Sequence, residues 1–569
     1  MPDLLFTNGT IWTGSGYVEE LAVSGGRIAD PAPDGAAADV TVIDLEGGFL
    51  MPSFGDGHAH PLFGGLEAQG PQIKDKTTVE EIVAEVARYA AENPALEWIV
   101  GGSYDPAIVK GGEFDARWLD AAVPDRPVVL RAYDYHTVWC NTAALERAGI
   151  GPSTPDPRLG WIVRRHDGSP LGTLREWHAC DLVLDLVPTK SLDELVEGLA
   201  EASGAMAAAG ITWVQDAWVE PYMVEAYLEA ARRGRLGFRA NLGFRADPDT
   251  WTAQRARFSA LRAEVDARSV AAGEQPSPVR HAGSSPPRSP LTARPDTPLQ
   301  QDSGPRRHAA LAKLVTANTV KFFADGVIEG GTAAMLEPYV DAPHSCGMPV
   351  WEPAALAEAV AAFDADGFQV HIHAIGDSGV RAALDAIERA VRDNPAWDRR
   401  PVIAHTQLVA PDDLPRFAEL GVIANFEPLW AQLDPLQTEL TVPRLGPDRA
   451  DLQYPMETLR ALDTALSFGS DWPVSSQEPL LGVQIATTRQ TVDGTPAWTP
   501  GERLSLEDAL HAYTAGVAYQ AFAEADRGTL EPGKAADLVW LSADPRRVDP
   551  LELRRIEVRG TWLEGTPTF

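Results

Sequence analysis

The chain has 569 residues, 44% hydrophobic and 23% charged, with a formal net charge of −33 at pH 7. That length accommodates a barrel of about 250 residues with accessory pieces, and the acidic balance repels nucleic-acid phosphates and anionic lipid surfaces alike. No apolar run approaches the ~20 residues of a membrane span, so the expected partner is a small molecule, with neither nucleic acid nor membrane. Met1-Pro2-Asp3 leads into a strand-like segment with no basic n-region or apolar h-region, from which cytoplasmic residence is expected. Cys140, Cys180 and Cys346 are odd in number and widely spaced, which fits reduced thiols rather than a disulfide framework or a zinc knuckle.

In chain order, short strands with turns are predicted over 3–12 and 20–28, and again near the far end over 536–541 and 555–562. Together they imply one small β-sandwich built from residues 1–50 and 525–569, flanking a domain over 51–524. The apolar run 49–54 ends in Asp56-Gly57-His58-Ala59-His60. On a strand, residues two apart share a face with Cα atoms roughly 6.6 Å apart, so both imidazoles can reach one cation. The pair is half of a metal site, or two histidines that merely alternate.

A long stretch over 62–204 follows, with a helix pattern at 78–86 and strands at 98–102 and 127–131. An insertion after a strand's C-terminal end covers the active face of a barrel, so a lid is expected. Second and third barrel strands are predicted over 211–216 and 236–242. The segment 270–308 is dense in Pro, Ser and Arg without apolar periodicity and is expected to be a disordered loop, which excludes His281 and His308 as ligands.

Four more strands end in chemistry. Thr319-Val320-Lys321-Phe322-Phe323 turns Lys321 to one face, where a buried ammonium is costly unless neutralised or paired. Val370-His371-Ile372-His373 is a second alternating pair, His405 follows the apolar run 401–404, and Asp471 follows 465–469. With a seventh strand at 421–426, eight strands alternate with helix-period segments such as 380–392. This is the rhythm of a (β/α)8 TIM barrel in the α/β class.

The order of His-X-His, Lys, His, His and Asp on successive strands resembles the amidohydrolase superfamily. Val320-Lys321-Phe322-Phe323-Ala324-Asp325-Gly326 and His373-Ala374-Ile375-Gly376-Asp377 are similar to its YtcJ-like, amidohydrolase-3 branch, which includes N-substituted formamide deformylases. The resemblance runs from Asn8-Gly9-Thr10-Ile11 to Pro532-Gly533-Lys534-Ala535-Ala536-Asp537-Leu538. It implies a divalent-metal site, with His58 and His60 on one ion, His373 and His405 on the other, and Lys321 bridging both as a CO2-derived carbamate. Two zinc ions are expected, with Mn, Fe or Co fitting the same donors. Asp471 is expected to ligate the first ion and to serve as base and then acid while metal-activated hydroxide attacks a carbonyl. The histidine directly before Ala-Ile-Gly-Asp is the family's ligand, leaving His371 in contact with ligands.

Smaller expectations attach to other positions. His136, in Tyr133-Asp134-Tyr135-His136, contacts the bound group or is a buried structural histidine. Asp325 and Asp377 orient ligands or form turns. Trp430 and Trp472 line an aromatic pocket or pack. The expected activity is hydrolysis of a non-peptide C–N bond in a small formamide, amide or carbamate. A single-metal deaminase or a lactonase or esterase on the same scaffold is the alternative, and a non-catalytic scaffold would lack the ligands this chain retains. A homodimer is the default for such a barrel.

Overall fold

The computed structural model describes residues 4–29, 40–271, 313–492 and 494–569. The loop expected over 270–308 lies outside the described residues from 272 onward, with His281 and His308.

Eight parallel strands form one sheet in chain order: Phe54–Ala59, Ile211–Val219, Arg239–Arg245, Val315–Phe323, Gln369–Ala374, Val402–His405, Ile423–Phe426 and Ala465–Phe468. The sheet curls into a TIM barrel, and the backbone N–H groups of Ser470 and Asp471, just past the last strand, donate to the His58 carbonyl of the first at 3.2 and 2.7 Å. Helices cover the outside, so most strand residues are buried on both faces. The third strand begins at Arg239, later than the expected Leu236. Leu236 and Gly237 belong to the preceding turn, where the Ser203 hydroxyl accepts from Gly237 N at 3.1 Å.

Three further sheets lie outside the barrel. Leu4–Thr7, Leu21–Ser24, Arg27–Ala29 and Thr41–Asp44 form a four-stranded sheet. A second has six strands and joins both ends of the chain, with Phe49–Pro52 antiparallel to Leu538–Leu541. Phe6, Ile11, Leu50, Leu538 and Trp562 share a core here, with Phe6 edge-on to Trp562 at 5.1 Å between ring centroids. Phe49–Pro52 runs almost directly into the first barrel strand, so the terminal sheet fixes where that strand starts.

Between the first and second barrel strands stands a five-stranded sheet: Ile99–Tyr104, Val128–Ala132, Thr137–Cys140, Trp161–Arg164 and Pro170–Arg175. The helix Val79–Glu92 precedes it, capped by the Thr78 side chain, which accepts from Glu81 N. Cys140 and Cys180 are buried free thiols and Cys346 is exposed. No helix among the described residues is long and apolar enough to cross a membrane.

The helix Pro61–Glu67, directly after His60, packs on Leu192–Ala208 at glycine-to-glycine range. A Cβ at Gly65 would come within 1.8 Å of the Gly198 carbonyl oxygen. Gly65→Ala must therefore separate the helices, at a cost of about 1–3 kcal/mol or more for overpacking. We expect a melting temperature several degrees below that of the parent, read by calorimetry; an unchanged value would contradict this close packing.

Candidate active site

Barrel strands deliver their last side chains to one rim, the C-terminal face where barrel active sites sit. His58 and His60 end the first strand, while Lys321 lies opposite His371 in the register between the fourth and fifth strands. His373 lies opposite Phe323, and His405 is opposite Ala374. At two of these rim positions the backbone leaves the extended region: φ is +72° at His405 and +54° at Asp471. Such conformations cost on the order of 1–3 kcal/mol each and persist only where surrounding contacts impose them.

These residues converge. His60 Nε2 is 2.8 Å from Asp471 Oδ1, His58 Nε2 is 3.5 Å from the same oxygen, and Lys321 Nζ is 3.3 Å from His58 Nε2. Ring centroids of His58 and His405 are 4.7 Å apart, and those of His373 and His405 4.5 Å. His371 meets His58 from behind, Nε2 to Nδ1 at 2.8 Å. His136 is 5.5 Å from His373 between ring centroids, and its Nδ1 is 2.8 Å from Glu176 Oε2. Trp430 stacks on His405 at 5.3 Å and 6°. His373 Nε2 contacts the Gly326 carbonyl at 3.1 Å.

Three expected positions do other work. Trp472 does not line the cavity: its ring lies where a Cβ on Gly64 would fall, so it packs against the helix after His60. Asp377 accepts from Leu336 N at 2.8 Å and Ser378 N at 3.0 Å, which pins a neighbouring loop and leaves no hydrogen bond to a histidine. Asp325 is 3.9 Å from His373 Nε2, but its hydrogen bonds go to the backbone N–H groups of Ile375, Gly376 and Ala334 at 2.8–3.0 Å. It shapes the turn that follows the fifth strand.

The structure adds carboxylates that the sequence reading passed over. Glu427, just past the seventh strand, contacts His405 Nδ1 at 2.8 Å. Asp216, on the second strand, is 3.8 Å from His60 Nδ1 and accepts from Tyr227 Oη. Asp56 accepts from the Ser470 hydroxyl and from His58 N, tying first and last strands together. Glu427 directly follows a strand end, the position rule that singled out Asp471, whereas Asp56 and Asp216 sit within their strands.

Burial, reinforced by Lys321 and neighbouring imidazoles, holds His58 and His371 well below the usual histidine range, and burial with His405 and His136 nearby does the same for His373. His405 is pushed down to about 3 by burial. These rings are neutral and keep a lone pair, the form in which histidine binds metals. Burial also lowers His60, but Asp216 and Asp471 outweigh it and raise the ring. Burial brings Lys321 down to about 7, and no carboxylate oxygen stands within 4 Å of Nζ among the described residues. Glu427 is raised well above the carboxylate range by burial and by Asp471. Asp471 itself is lowered, as His60 first, with His405 and Lys321 behind it, outweighs its burial. His136 rises to about 9 because Glu176 outweighs burial.

His58, His60 and Asp471 are the group among the described residues whose ligand atoms lie within 4.8 Å of one another. Asp471 Oδ1 is buried and accepts no hydrogen bond despite the nearby imidazoles, and His60 Nδ1 is also unsatisfied. Two imidazoles and a carboxylate converging in this buried site form a donor set that fits a divalent cation. The group opens into a cavity of about 330 Å³ walled by Trp177, Trp218, Phe323 and Trp430.

A family model described as the amidohydrolase family matches residues 41–569. Protein LONG AFTER FAR-RED 3 of Arabidopsis thaliana is 30% identical over 95% of this chain and 87% of its own. N-substituted formamide deformylase of Arthrobacter pascens is 25% identical over 99% of this chain and 98% of its own. Among solved structures, an uncharacterized metal-dependent hydrolase from Pyrococcus furiosus matches with a TM-score of 0.66 and 25% identity over 95% of this chain and 99% of that one.

Proposed function

The chain belongs to the amidohydrolase family, which makes it a hydrolase with a candidate metal site at His58, His60 and Asp471, and we propose that it uses divalent metal to cut a non-peptide C–N bond in a small N-substituted formamide, amide or carbamate. The observation that carries this reading is the convergence of His58, His60, Lys321 and Asp471 beside an aromatic cavity that the two histidines and Asp471 line. His58, His60 and Asp471 would hold one ion and His373 and His405 a second, with Lys321, as a carbamate, the residue that would serve both. Two zinc ions suit this donor set, as do Mn, Fe and Co.

Bound metal supplies a water of lowered pKa and a Lewis acid for the carbonyl oxygen. Asp471 takes the proton of the attacking water and returns it to the departing nitrogen, so one carboxylate acts as base and then as acid. Glu427 fixes the tautomer of His405 and Asp216 the orientation of His60, the task of outer partners around a metal. His136, with Glu176 behind it, donates to the oxygen of the bound acyl group. Trp177, Trp218 and Trp430 exclude water around the scissile bond, which strengthens these charge interactions. The Arthrobacter relative's name, N-substituted formamide deformylase, points to the same bond class. In the cell the enzyme works in the cytoplasm on a diffusible small molecule.

Metal-reconstituted protein assayed on formamides, amides, carbamates and lactones is expected to hydrolyse a C–N substrate best. Chelation is expected to remove at least about 99% of turnover and metal re-addition to restore it. A lactone preferred over every C–N substrate would overturn the bond assignment.

A further inference from the structure

Beyond His58, His60, His373, His405 and Asp471, the cavity lining includes four carboxylates. These are Asp105, Asp134, Glu329 and Asp434, and among the described residues no Lys or Arg lines the cavity anywhere. Tyr133 lines the same cavity, and its hydroxyl is pushed well up, by burial first and then by Asp105, Asp434, Glu329 and Asp134. Asp105, Asp134 and Asp434 each accept one backbone N–H, from Ala107, His136 and Gln437, at 2.8–2.9 Å. The nearby cations are committed elsewhere. His136 pairs with Glu176, Arg444 pairs with Asp341 at 2.8 Å, and Arg175 donates to the Gly111 carbonyl.

A separate observation also calls for a donor. Gln437 lines the same cavity at 2% exposure, and its Oε1 has no hydrogen-bond partner, although its amide nitrogen reaches Tyr454 Oη at 3.3 Å. A buried acceptor left unpaired costs about 1–3 kcal/mol, and Gln437 lines a cavity already supplied with acceptors.

We propose that this acidic lining is a subsite for an organic cation, so that the substrate carries an ammonium or similar group remote from the bond that is cut. This rests on the hydrolase reading and deepens it by naming the substrate's charge. Tyr133 supplies a ring face and the carboxylates supply the field, a combination suited to ammonium groups. An inorganic ion is the poorer occupant. Among the described residues, no three of these carboxylates bring ligand atoms within 4.8 Å of one another, as His58, His60 and Asp471 do. Burial, with Asp134 adding to it, pushes Glu329 up to about 7, and a cationic guest relieves that mutual repulsion.

Binding of hexyltrimethylammonium and of 1-hexanol to the metal-reconstituted full chain, measured by calorimetry, tests this. The quaternary nitrogen has no lone pair for a metal, and neither probe has a bond to hydrolyse, so the result stands whether or not the C–N assignment holds. The cation is expected to bind at least about tenfold more tightly, a difference of about 1.4 kcal/mol. In a Glu329→Gln, Asp434→Asn double variant that ratio is expected to fall below about threefold. Each single variant is measured as well, with a smaller fall, so that a misfolded double variant still leaves two readings. Equal affinities in the parent, or a ratio that survives in the folded variants, would overturn the subsite.

Discussion

Asp471→Asn is expected to lower kcat/KM by about 10³-fold while leaving the fold intact. The substitution is nearly isosteric and removes only the group's capacity to take a proton. Asn adopts the left-handed backbone as readily as Asp, so the +54° φ is retained, as is the bond from the residue's N–H to the His58 carbonyl. An amide is also a weaker metal ligand than a carboxylate, so metal content must be measured alongside turnover. Full metal occupancy with turnover lost isolates the proton transfer. Unchanged turnover of an identified substrate would remove Asp471 from the mechanism.

Lys321→Met is expected to move activity and stability in opposite directions. Nζ is buried, 4.8 Å from the Phe323 ring centroid and 3.3 Å from His58 Nε2, with no carboxylate within 4 Å among the described residues. A buried ammonium so placed is a burden on the metal-free fold. Methionine fills similar space without charge, so the metal-free variant should melt at or above the parent temperature. Turnover should fall by about 10²-fold or more, because no carbamate can form to join the ions. Elemental analysis in bicarbonate buffer should find two ions per chain in the parent and fewer in the variant. A variant that keeps both ions and its turnover would show that Lys321 serves neither metal nor chemistry.

The candidate ligands were legible because barrel topology turns sequence position into spatial position. A metal-binding residue closing an apolar strand must arrive at the same rim as its counterparts, so His58, His60, Lys321, His373, His405 and Asp471 could be read one strand at a time. Glu427 directly follows Ile423–Phe426 and was legible by that rule. Asp216 and Glu176 were harder. Their meaning comes from His60 and His136, contacts that only the closed barrel and the inserted sheet create. Trp472 shows where the strand-end rule stops. Asp471 has left the strand, and the next side chain points away from the cavity towards Gly64. The acidic lining of the cavity was invisible in sequence, since Asp105, Asp134, Glu329 and Asp434 come from four separate loops.

The most direct test is a crystal structure of metal-reconstituted protein with anomalous data at the metal edge. The account predicts a peak bonded to His58, His60 and the Asp471 carboxylate, a second bonded to His373 and His405, and continuous density beyond Lys321 Nζ joining them. A metal bound away from these side chains, or a fully active enzyme with neither peak, would contradict it.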